Sequence, residues 1–61
     1  MYAHFKVKFV SSEFGEALAY VMATDTPKGR TQAIQKALTQ LEKRNVMGFA
    51  AGDLIELQCV G

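Results

Sequence analysis

The sequence of 61 residues holds one cysteine, one proline, one histidine and no tryptophan. A single cysteine cannot close an intrachain disulfide, and a lone thiol suits a reducing compartment. Cys59 and His4 together also fall short of the four ligands of a structural zinc site. Charge of either sign is not in excess: seven Lys and Arg stand against six Asp and Glu, for a net charge of +1. Nor does charge segregate, since residues 1–30 carry four basic and three acidic groups and residues 31–61 carry three of each. Gripping nucleic acid by bulk charge needs a strongly basic surface, which this balance argues against. Apolar runs are short of the 18 or more residues of a membrane span. The opening stretch Tyr2-Ala3-His4-Phe5-Lys6 lacks the basic-then-apolar order of a secretory signal. These absences predict a soluble protein of the cytoplasm (the host's, if the chain is viral) with no membrane contact and no cofactor.

What is present is apolar content, 49% of the chain, too much for a disordered segment and enough for one small domain over residues 1–61. A domain of this size buries only about 60% of its unfolded surface, so its stability margin is thin. Tight packing or self-association must supply the rest.

Four elements are legible. Tyr2 to Val10 alternates, with Ala3, Phe5, Val7 and Phe9 on one face and Tyr2, His4, Lys6 and Lys8 on the other. Period two over that length is a half-buried strand. The polar stretch Ser11-Ser12-Glu13-Phe14-Gly15-Glu16 predicts a hairpin turn. Ala17 to Thr24 is a second strand that is apolar on both sides: Ala17, Ala19, Val21 and Ala23 on one, Leu18, Tyr20 and Met22 on the other. Such a strand is either covered twice or offers one side to a partner. Asp25 or Thr26 can then cap a helix, with Pro27 at its first position. Ala33, Ile34, Ala37, Leu38 and Leu41 make its apolar stripe, Lys43 and Arg44 suit its last turn, and Asn45 can end it left-handed. The predicted helix covers residues 27–44, and Gly29 weakens its first turn by roughly 1 kcal/mol relative to Ala. After the apolar, glycine-broken connection of residues 46–52, Asp53 to Val60 reads as a third strand. Its faces are Ile55, Leu57 and Cys59 against Leu54, Glu56 and Gln58.

The order strand-strand-helix-strand predicts an α+β fold. Strands one and two form an antiparallel hairpin, and a right-handed crossover returns strand three beyond strand one, giving sheet order 2-1-3. One helix covers one face over a core of Phe5, Val7, Phe9, Ile34, Leu38, Leu41, Ile55 and Leu57. The other face has nothing in this chain to cover it, and function is to be sought there.

Catalysis is not expected. A nucleophile needs a base within reach, and alternation turns Cys59 toward the core and His4 toward the open face. Cys59 reads as a buried, inert hydrophobe. The carboxylates are scattered over the turn, the element ends and the surface, with no pair set for acid-base work. Lys28 and Arg30 open the helix in the stretch Lys28-Gly29-Arg30-Thr31, which lacks the order of a phosphate loop. Both cations could contact an anion at the helix start. On the open face Tyr2, Lys6, Lys8 and Tyr20 form the basic-aromatic mixture that stacks single-stranded bases, which keeps a small nucleic-acid-binding domain as the alternative. Met47 and Phe49 must either fold back on the core or meet another chain.

Phe5 to Val10 as a strand, Ser11-Ser12-Glu13 at the turn, a second strand ending Ala23-Thr24-Asp25, an Ala/Leu helix and a final strand resemble, over roughly residues 4–60, the small inhibitor of bacterial RNA polymerase made by short-tailed phages. That resemblance implies a cofactor-free module that lodges on a macromolecular surface and blocks a movement. The family's final strand is basic, whereas Leu54-Ile55-Glu56-Leu57-Gln58 holds no Arg or Lys, so the style of action carries over rather than the target. The expected function is therefore a non-enzymatic protein-binding module, an inhibitor or regulator, contacting its partner through Tyr2, His4, Lys6, Lys8, Leu18, Tyr20 and Met22. Strand two, with no Lys, Pro or inward charge, is also the expected edge for a homodimer.

Overall fold

A computed structural model describes Tyr2–Gly61 and gives β1 (Tyr2–Ser11), β2 (Gly15–Thr24), α1 (Pro27–Lys43), a short 3-10 turn (Ala51–Asp53) and β3 (Leu54–Cys59). The sheet order is β2-β1-β3, with β1 central and antiparallel to both neighbours. The expected α+β architecture is therefore the one formed.

Local chemistry accounts for each boundary. The hairpin closes over three residues, Ser12 to Phe14, so that Ser11 pairs with Gly15 and the strands run further than alternation alone suggests. Ser11 Oγ accepts from the N–H groups of Glu13 and Phe14 at 3.1 and 3.3 Å, and Gly15 takes φ +82°, a left-handed conformation that suits glycine. At the helix start Thr26 Oγ1 accepts from Gly29 N–H at 3.0 Å, with Pro27 in the first turn. At its end Asn45 turns left-handed at φ 61°, while Asn45 and Val46 donate to the carbonyls of Glu42 and Leu41 at 2.9 and 2.8 Å. That is a Schellman closure built on an asparagine.

The core is smaller-grained than expected. Phe5, Val7, Phe9 and Leu41 are its large buried members, but alanines supply most of the rest: Ala17, Ala19, Ala23, Ala33 and Ala37. Ile34, Leu38 and Leu57 pack against this cluster half-buried. The alanines decide where the helix lies. Small residues on β2 let α1 approach it closely, while the two phenylalanines of β1 occupy the space on the other side, so α1 packs mainly on β2 and only lightly on β1 and β3. At Gly29 the approach leaves no room for a side chain, because a Cβ there would overlap the carbonyl and hydroxyl oxygens of Thr24. Gly29 therefore costs helix propensity but permits the packing.

Sequence expectations fail on β3 for two reasons: the helix packs only lightly on this strand, and a bulge breaks its alternation. Cys59 is opposite Phe5, on the face expected, yet it is exposed rather than buried. Ile55, expected in the core, is 59% exposed. It is the extra residue of a β-bulge: Lys8 pairs with Glu56 and Phe9 with Leu54, which leaves Ile55 unpaired between them. The same bulge brings Leu54, expected on the open face, opposite Phe9 and into contact with the core.

Candidate functional site

The helix-free face is made by the even-numbered residues of β1 and β2. Along β1 it presents Tyr2, His4, Lys6 and Lys8; across from them lie Thr24, Met22, Tyr20 and Leu18 of β2. Tyr2, Leu18, Tyr20 and Met22 are 65, 37, 56 and 50% exposed. All seven residues expected at a partner surface thus share one face. Large apolar side chains left this open on one side of a small domain are the usual mark of a contact surface.

The charges on this face are largely answered within the chain. Lys6 Nζ lies 3.8 Å from Glu56 of β3, and Lys8 Nζ lies 3.3 Å from Glu16 of β2. Both pairs are partly exposed, so each adds little to stability. Their consequence is electrostatic: the two lysines at the middle of the face do not present an unbalanced positive strip. The surface is amphipathic and close to neutral, with its apolar half on β2 and its polar half on β1 and β3.

The other expected contacts are placed differently. Arg30 donates from Nε and a terminal guanidinium nitrogen to Asp25 Oδ1, both at 3.1 Å, and its guanidinium sits 5.7 Å from the Phe5 ring centroid. Its charge is thus already answered by Asp25 in an exposed pair. Lys28 is exposed and has no ion-pair partner among the described residues. Phe49 folds back, with its ring 6.2 Å from Phe9 and 6.0 Å from Phe14, centroid to centroid. Met47, 64% exposed, does not follow it. Behind them Asp53 accepts from Ala50 N–H at 3.0 Å and fixes the turn that leads into β3. His4 and Cys59 lie on opposite faces of the sheet, so they form no dyad.

One feature of the site is absent from the sequence expectations. The sequence predicts β2 as an unprotected edge. Instead Lys36 Nζ donates to the Met22 carbonyl at 2.8 Å, Gln40 Nε2 to that of Tyr20 at 3.1 Å, and an Arg44 guanidinium nitrogen to that of Leu18 at 2.8 Å. Helix donors spaced four residues apart meet strand carbonyls spaced two apart, because four helix residues rise about 6 Å and two strand residues extend about 6.6 Å. The acceptors that strand pairing at this edge would need are therefore already engaged. A shallow groove of ≈ 710 Å³ runs beside these bonds, between Tyr20 and Met22 on the strand and Gln35, Lys36, Thr39 and Gln40 on the helix. The signal was present in the sequence as Lys36, Gln40 and Arg44 at helical spacing, on the flank of the apolar stripe.

No protein-family model, curated protein or solved structure matches this chain.

Proposed function

We propose that this chain is a small non-enzymatic protein-binding module, an inhibitor or regulator that occludes a macromolecular partner by seating its helix-free sheet face on it. One observation carries the reading: Tyr2, Leu18, Tyr20 and Met22 stand exposed together on a face whose lysines are paired with Glu16 and Glu56. Apolar area drives association without regard to salt, and paired charges give orientation rather than bulk attraction. A phosphate-binding surface would need more unpaired cations beside the aromatic rings than Lys36, whose Nζ lies 5.7 Å from the Tyr2 ring centroid. Tyrosine and methionine also suit this role, because both are enriched where proteins meet. A stiff three-stranded sheet loses little conformational freedom on docking.

The test compares the native chain with Tyr20→Lys as immobilised bait, each confirmed folded by circular dichroism. The reading expects proteins retained by the native chain at about 0.5 M salt, where surface charge is screened, and lost from the variant. Retention of single-stranded DNA that falls steeply between about 50 and 200 mM salt, with no protein that distinguishes the two baits, would overturn it in favour of a nucleic-acid-binding domain.

A further inference from the structure

We propose that β3 pairs with β3 of a second copy, antiparallel across a two-fold axis, joining the two three-stranded sheets into one continuous sheet. The two edges of the monomer sheet are not equivalent. At β2 the outward carbonyls are taken by Lys36, Gln40 and Arg44. At β3 no such cover exists among the described residues. His4 of β1 turns its N–H and C=O toward the end of β3, meeting the Gly61 carbonyl and the Val60 N–H at 2.9 and 2.8 Å. Alternation along the ladder then leaves the N–H and C=O groups of Leu57 and Cys59, opposite Val7 and Phe5, directed to the outer edge. A free edge of this kind is a template for another strand.

The side chains of β3 complement themselves. With Leu57 opposite Leu57 of the second copy, Glu56 meets Gln58, and Ile55, at the bulge, comes opposite Cys59, each twice by symmetry. Apolar residues face apolar ones, and neither carboxylate faces another; cross-strand pairs of this sort stabilise a ladder, while like charges opposed would destabilise it. The pairing covers Ile55 and Cys59, which α1 leaves exposed, and extends the helix-side face on which Leu57 is half-buried. A two-fold axis needs such a self-complementary patch. The contact is short, so the association is weak and reversible. The helix-free face stays open on both copies, and this pairing stands or falls separately from partner binding.

Sedimentation equilibrium from about 10 to 500 µM reads the association directly. The native chain should pass from one chain to two, Ile55→Lys should weaken the association by about tenfold or more, and Tyr20→Lys should leave it unchanged. Ile55 is exposed, so its replacement spares the core, and circular dichroism confirms the fold. Ile55→Cys adds a geometric test with the native Cys59 as its mate: opposed residues lie within the Cα separation of about 4.4–6.8 Å that a disulfide spans. Mild oxidation should then give covalent dimers of the variant and not of the native chain. A native chain monomeric throughout overturns the proposal. So does a dimer that Tyr20→Lys dissolves and Ile55→Lys spares, or an Ile55→Cys variant that yields no more covalent dimer than the native chain.

Discussion

Along β2 the carbonyls of Leu18, Tyr20 and Met22 accept bonds from Arg44, Gln40 and Lys36, whereas along β3 Ile55 and Cys59 face solvent with no helix above them. One sheet thus has one edge whose outward carbonyls its own helix engages and one edge without that cover. The cause lies in side-chain size. Alanines on β2, with Gly29 and Ala33 and Ala37 on the helix, draw α1 over that strand; Phe5 and Phe9 fill the remaining space, and α1 touches β3 only lightly. The same displacement brings the flank bearing Lys36, Gln40 and Arg44 within bonding distance of the β2 edge. Edge protection in this chain is a result of how the core packs.

The asymmetry can be broken in graded ways. Phe9→Ala empties a fully buried position beside Phe49 and should cost about 3–5 kcal/mol, enough to unfold a domain this small. Urea denaturation checks it, and a variant that still unfolds cooperatively near the native midpoint would remove the phenylalanine wedge from the explanation. Gly29→Ala is sharper. On helix propensity alone it should stabilise by roughly 1 kcal/mol, but its Cβ would overlap the Thr24 carbonyl, and overpacking against backbone costs about 1–3 kcal/mol. A lower melting temperature is expected; a higher one would mean that the helix does not approach β2 so closely.

Replacing Lys36, Gln40 and Arg44 together by Ala removes three exposed bonds, each worth at most about 0.5–1.5 kcal/mol. The larger expected effect is on solubility, because the β2 edge would then offer free carbonyls beside Tyr20 and Met22. Light scattering should rise with concentration well above that of the native chain, and equal scattering would show that the edge needs no cover. The smallest effect is expected at Cys59. Its thiol is exposed, so dilute native protein should be labelled nearly as fast as the urea-unfolded chain. Cys59→Ser should change stability by no more than about 0.5 kcal/mol. Slow labelling at low concentration would place Cys59 under cover that the fold does not show.

The sequence revealed elements more reliably than edges. Alternation in residues 2–10, the Thr26-Pro27 start and the Asn45 stop are local signals, and each element formed where those signals placed it. Sheet order followed because chain connectivity permits few alternatives. The open face was legible too, since a period of two assigns every residue a side. Burial on β3 was not. Alternation gives the face of Cys59 but says nothing about how far the helix extends over it, and a run of period two carries no sign of the bulge at Ile55. Nor did counting charges within Ala17 to Thr24 reveal the closed edge. The protecting groups come from another element, some 14 to 26 residues away in sequence.

The most direct test of the unequal edges is a concentration series of amide ¹H–¹⁵N spectra, from about 20 µM to 1 mM. The expected result is that shifts and slowed amide exchange grow with concentration only over Ile55 to Cys59, while Leu18 to Met22 stay fixed. Changes that gather instead on Leu18, Tyr20 and Met22 would contradict a β2 edge closed by the helix and a β3 edge left open.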